Sequence, residues 1–147
     1  NYCQAGGNFF VSGAYVASDL WDNRLVKANE EDKKFAMEVL KYKWRVGQAA
    51  RNGKVKSVAS PFPEITGSYT YYQDLNPESY VVESPDALEP AAQGAFTILR
   101  YSENNLSAGI AYKGNYKTCV LGFPFEAIRT VTERELLMKA ILTFFEH

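Results

Sequence analysis

A three-layer α/β domain with a mixed sheet is the fold class the sequence predicts, and three observations predict it. NFFVS, at 8–12, is a short apolar run next to glycines, leading into a tight turn and a helix-compatible stretch, as buried strands of parallel sheets do. Residues 54–122 carry a series of short strand-like runs separated by turn residues. Two amphipathic stretches, at 30–45 and at the C-terminus, supply helices to cover such a sheet.

The opening NYCQAGG reads as the end of a helix, with Gly6 and Gly7 supplying the left-handed residues that stop helices. Residues 8–12 follow as an inner parallel strand. Gly13 and Ala14 keep the next turn uncrowded, and 14–20 winds as a short helix with Val16 and Leu20 inward. Asn29 is an N-cap for EEDKKFAMEVLKYKWRV, where acids crowd the first turn and lysines come later, as the helix dipole favours. Phe35, Val39, Leu40 and Trp44 make its apolar stripe, and KYKWR (41–45) is its basic, solvated end.

From Gly53 the pattern turns to β. KVKSVAS alternates, and the proline-rich SPFPEITG resists regular structure. SYTYYQDL, SYVVE, AFTILRYS, LSAGIAYK and KTCVLGF then read as successive strands. Turns at 102–105 and 113–115 bring the last three close enough for antiparallel hairpins in the C-terminal half. A capping box over 132–135 starts the last helix, and Leu136, Leu137, Ala140, Ile141, Phe144 and Phe145 line one face of it.

The length, 147 residues, suits one domain over 1–147. Sixteen basic against seventeen acidic side chains leave a net charge of −1, so no field for nucleic acid or an anionic membrane is expected. No apolar run approaches the roughly 18 residues of a membrane span. Cys3 and Cys119 are too few for a disulfide framework and are not spaced as a metal site. Both are expected as thiols, with Cys119 packing as a small hydrophobe. The only histidine is His147, which removes most hydrolase and zinc mechanisms from within the chain. No cofactor or metal is expected.

Ser12 sits where a nucleophile elbow would hold its nucleophile, but Phe10 and Ala14 stand where the flanking glycines belong. A small residue at a strand end is the plainer reading. Tyr69 and Tyr71 alternate onto one face and Tyr72 onto the other, which makes the first two candidates for a sugar-binding platform, with a core role as the alternative. Asp86 and Glu89 in SPDALEP could ligate calcium, against which stands a turn-forming acid pair.

GGNFFVSGAYVASDL, followed about a hundred residues later by GFPFEAI and an amphipathic helix, resembles the C-terminal half of class I glutamine amidotransferase-like domains. The resemblance implies a flavodoxin-like sheet, a cysteine on an elbow, and a histidine and glutamate in a late F-H-P-E stretch. Ser12 then falls at or near the cysteine, Pro124 replaces the histidine, Phe125 replaces the proline, and Glu126 is kept. Proline has no proton to exchange, so the family's relay cannot operate here. The runs YYQDLNPESYVVESPDALEPA and ILRYSENNLSAGIAYKGNYKTCVLGFPFEAI, with RELLMKAILTFF, extend a likeness over nearly the whole chain. It looks like the terminal domain of large secreted Bacteroidetes proteins labelled xanthan lyase-related or golvesin-like.

This likeness implies an accessory, catalytically degenerate domain of a secreted or periplasmic carbohydrate-related protein. Its partners would be polysaccharide, other domains of the parent protein, or a second copy. Two alternatives stand beside it. One is a hydrolase or polysaccharide lyase whose site is completed by other residues, with Ser12 as nucleophile and Glu126 as orienting acid. The other is a carbohydrate-binding module. Because the chain runs straight into what should be a central strand, it is also expected to be the C-terminal part of a larger domain, lacking its N-terminal strands and with its exposed edge covered.

Overall fold

The first strand forms where the sequence places it, at Phe9–Ser12 (β1). A computed structural model describes residues 2–24, 27 and 29–147. Within them β1 joins β3 (Lys54–Ser57), β4 (Ser68–Thr70), β6 (Ala95–Tyr101), β7 (Ser107–Lys113) and β8 (Lys117–Leu121) in one mixed sheet. The strand order is β1-β8-β7-β6-β3-β4. β1 runs parallel to β8, with Phe9 opposite Thr118 and Ser12 opposite Leu121. Every other neighbouring pair is antiparallel, so the expected hairpins of the C-terminal half are present.

The position of β1 corrects the expectation of an inner strand. It is an edge strand, and Phe9 is 39% exposed. The inner place is taken by β8, which lies between β1 and β7, and no described strand pairs with the other side of β1. Alternation along β1 still divides two cores. Phe10 packs with the cluster that holds Cys119, Leu121 and the last helix, α3 (Val131–Glu146), while Val11 packs with the cluster on the opposite face.

That opposite cluster is covered by α1 (Ser18–Trp21), α2 (Glu30–Phe35) with the π-helical turn Ala36–Leu40 that continues it, and a separate two-stranded ribbon of β2 (Tyr42–Val46) and β5 (Ala87–Pro90). The helix expected to run to residue 45 therefore ends at Leu40, and residues 42–46 are strand. Lys41 turns left-handed at φ 68. The last carbonyls are taken by β8 and its approach: Tyr116 Oη donates to Val39 O at 2.8 Å, and Thr118 Oγ1 to Leu40 O at 3.0 Å. Helix ends need such partners, and a distant strand supplies them here.

Smaller corrections follow the same logic. Residues 2–7 close as a turn, with Gly6 N–H on Cys3 O (2.8 Å) and Gly7 N–H on Tyr2 O (3.0 Å); Asn1 lies outside the described residues. The expected strand over 79–83 does not form. That segment is tied to the chain before it by Val82 N–H donating to Tyr72 O at 2.9 Å. β5 arises instead a few residues later, between Pro85 and Pro90, where a turn was expected.

Cys3 and Cys119 pack into different clusters, one on each face of the sheet. Cys119 is a thiol inside β8, and burial pushes its pKa up. No described helix is long and apolar enough to cross a membrane.

The cap of α3 sits two residues earlier than the sequence reading placed it. Thr130 Oγ1 accepts from Glu133 N–H at 3.1 Å and donates to Glu133 Oε2 at 2.6 Å. Glu133 Oε1 also accepts from Thr70 N–H at 3.1 Å, so the earlier of two overlapping Thr-x-x-Glu patterns wins by reaching β4. Thr130→Ala is expected to cost about 1 kcal/mol, whereas Thr132→Ala, at an exposed position, should cost close to nothing. Urea denaturation of the two variants side by side checks this.

Candidate functional site

In sheets with parallel strands, ligands tend to sit beyond the strands' carboxyl ends. β1 and β8 are the parallel pair, and their ends place Ser12, Gly13, Gly122 and the 3₁₀ turn Phe125–Ala127 side by side. Gly13 N–H continues the ladder onto Leu121 O at 3.2 Å. The Ser12 hydroxyl accepts a hydrogen bond from Phe125 N–H at 3.1 Å. The ring of Phe125 meets Phe10 edge-on, with centroids 6.0 Å apart. Ser12 thereby holds the start of the turn that carries Glu126.

Glu126 is exposed, and its Oε1 accepts from Tyr80 Oη at 2.6 Å. Burial, then that hydrogen bond and the carboxylate charge, push the Tyr80 phenol up. The two residues close one side of a cavity of about 290 Å³ that Gly13, Ala14, Tyr15 and Pro124 also line. The structure thus brings Ser12 and Glu126 to the same strand ends, but Ser12 is given a backbone partner and Glu126 a tyrosine.

The other sequence candidates separate. Tyr69 and Tyr71 share one face as expected, and that face is the core: they are 3% and 0% exposed. Tyr71 stacks on Phe123 at 4.9 Å and its hydroxyl donates to Gln73 Oε1, while Tyr69 Oη donates to Thr66 O. Neither ring offers a face to a sugar, because this side of β4 is what packs the sheet. Asp86 and Glu89 point apart. Glu89 leaves the β2–β5 ribbon toward Arg45 (2.8 Å) and Lys43 (3.6 Å), and the Arg45 hydrogen bond, helped by the two positive charges, holds its carboxyl below the usual range. Among the described residues, no three or more His, Cys, Asp and Glu side chains converge as metal ligands would.

Asp86 is the residue whose role the sequence reading missed. It has no solvent exposure. Its Oδ2 accepts from Ala17 N–H (2.8 Å), Ser18 N–H (2.9 Å) and Ser18 Oγ (3.2 Å), capping α1 from across the fold. Its N–H donates to Gly122 O at 2.7 Å, and its carbonyl accepts from Tyr101 Oη at 2.7 Å. One residue therefore fastens β8's end, β6 and α1 together. Burial outweighs these donors and holds its carboxyl up at about 6. Beside it, across Tyr15 from the first cavity, lies a second of about 350 Å³, lined mostly by polar residues including Ser18, Asp22, Gln48 and Ser84. The available signal was Ser-Pro-Asp followed by apolar residues, which is common in turns and says nothing of a distant helix end.

No family model, curated protein or solved structure matches the chain.

Proposed function

We propose that this chain is a catalytically silent accessory domain, related to amidotransferase-like domains and belonging to a secreted, carbohydrate-related protein. The supporting observation is the state of Ser12: its hydroxyl accepts the Phe125 N–H, with Pro124 where the family's relay needs a histidine. A serine hydroxyl needs a positioned base to act as a nucleophile. The chain's sole histidine is its last residue, and the nearby carboxylate of Glu126 is engaged by Tyr80. In this reading β1, the helix after it and β8 keep the outline of a flavodoxin-like strand–helix–strand unit, while the rest of the sheet has become an antiparallel meander.

Incubation with glutamine, an activated ester and acidic polysaccharides is the test. The expected result is no turnover above that of Ser12→Ala. That variant should fold with a loss of about 1 kcal/mol, the worth of one satisfied amide, read from its urea midpoint. Turnover by the parent chain that Ser12→Ala abolishes would overturn the proposal.

A further inference from the structure

A third cavity, of about 450 Å³, opens where the β2–β5 ribbon meets the β6–β7 hairpin. That volume lies within the roughly 300–1,000 Å³ of small-molecule sites. Its charged lining is Lys43, Arg45 and Arg100 against the single carboxylate of Glu89. The cavity thus carries an excess of two positive charges in a chain whose net charge is −1. Glu89 already takes Arg45 Nη1 at 2.8 Å, with Lys43 Nζ 3.6 Å away. One carboxylate cannot neutralise three cations. Pro90 and Leu106 supply an apolar wall.

Arg100 is the cation that the fold places there at a cost. Register shifts at Thr97/Leu99 and Leu99/Arg100 bring it opposite Ser107, and bulges of this kind re-aim side chains and recur beside functional sites. On its other side it stands directly across from Lys56, where like charges destabilise a sheet. Among the described residues neither makes an ion pair. Arg100 Nη1 donates to Asn105 O at 2.8 Å, and Asn105 is held left-handed at φ 64. That bond fixes the guanidinium and leaves its Nε and Nη2 without a partner among the described residues.

Charge, donor geometry and volume select the ligand together. Two uncompensated charges call for a dianion, and guanidinium forks from two separate elements suit an oxyanion with several oxygens. A phosphate monoester carries nearly that charge on one group at neutral pH. The apolar wall and the remaining volume suit an organic body attached to it. We propose that this cavity binds a small-molecule phosphate monoester, with Arg100 and Arg45 on the phosphate, Lys43 beside them, and the body against Pro90 and Leu106. The cavity shares no lining residue with the one at Glu126, and the proposal holds whether or not the domain is catalytic.

The probe is glucose 6-phosphate, titrated into the intact chain by calorimetry at about pH 7.5 and low salt, where exposed charges are least screened. Glucuronate and glucose offer a similar body with one charge and with none. Saturable binding at a single site is expected for the phosphate ester, about tenfold weaker binding for glucuronate, and none for glucose. Inorganic phosphate, which lacks the body, should also bind about tenfold more weakly. Arg100→Gln should keep its circular dichroism spectrum and weaken binding about tenfold or more. Arg45→Gln, on the ribbon, should weaken it too. Lys34→Gln removes the same charge from the exposed side of α2 and should leave affinity unchanged. The proposal is overturned by no saturable binding of glucose 6-phosphate, or by equal affinity for glucose or glucuronate. Equal affinity for inorganic phosphate would also overturn it, reducing the site to an adventitious ion only. So would unimpaired binding by folded Arg100→Gln or Arg45→Gln, or an equal loss in Lys34→Gln, the mark of a general field.

Discussion

Gly122→Ala is expected to destabilise the fold by on the order of 4 kcal/mol, a large share of the roughly 5–15 kcal/mol that holds a domain folded. The cause is contact. A Cβ on Gly122 would sit 2.0 Å from the carbonyl oxygen of Asp86 and 3.2 Å from Tyr101 Oη. Both neighbours are fixed. The Asp86 carbonyl accepts from Tyr101 Oη, Asp86 N–H donates to Gly122 O, and Gly122 N–H donates to Ala108 O at 2.9 Å. Backbone cannot swing aside as a flexible side chain would, so the variant must break part of this network. Gly67→Ala is the control. Its φ is +81 with nothing within 4 Å, and it should cost only the left-handed strain of about 1 kcal/mol. Urea midpoints of the two variants test the difference; equal midpoints would show that the end of β8 can shift freely.

The second large effect is at Asp86, where two substitutions should diverge. Asp86→Ala strands the N–H groups of Ala17 and Ser18 in the interior and is expected to cost about 3 kcal/mol. Asp86→Asn keeps an acceptor for them and removes the buried charge, so it should match the parent below about pH 4 and be the more stable chain at neutral pH, by up to about 3 kcal/mol. The pH dependence follows from the raised folded pKa of about 6 against about 3.9 unfolded. Between these values the folded state holds a proton that the unfolded chain has lost. The contribution of Asp86 to stability is therefore fully present below about pH 4 and is lost as pH rises through about 6, by about 3 kcal/mol in all. Asp22 and Glu89 are shifted the opposite way, but they are common to both chains. Subtracting the Asp86→Asn profile from the parent profile isolates Asp86, and a difference that stays flat between about pH 4 and pH 7 would refute the assignment.

The sequence makes local structure legible and leaves hidden whatever depends on distant contact. The run at 8–12 announces β1 by its composition, yet its place at the sheet's edge depends on β8, far along the chain. The turns at 102–105 and 113–115 mark their hairpins because the chemistry and the contact lie together. Helix propensity carries the reading of 30–45 past Leu40, since nothing local reports that Tyr116 and Thr118 take the last carbonyls. The alternation of Tyr42, Trp44 and Val46 was the strand signal there. Period-two spacing put Tyr69 and Tyr71 on one face but could not say that the face is interior. At the candidate site, Ser12 and Glu126 were legible as residues of interest. Asp86 was not legible as a hub, because its donors on α1 and its partners Gly122 and Tyr101 are remote in sequence.

The parallel pairing of β1 with β8 also fixes an order of assembly. Joining Phe9 to Thr118 closes a loop that takes in most of the chain, which costs more entropy than closing any of the short hairpins. β6, β7 and β8 can form their meander from neighbouring sequence, and β1 can dock only once β8 exists. An edge strand held along one side is then the last to join during folding and the first to detach afterwards. In hydrogen exchange, the β1 amides engaged by β8 should become labelled well before those of Ile110 and Val120. Equal rates would mean that the sheet opens only as a whole. When β1 detaches it releases Ser12 from Phe125 and bares the edge of β8, so opening of this edge of the sheet takes the candidate site apart with it.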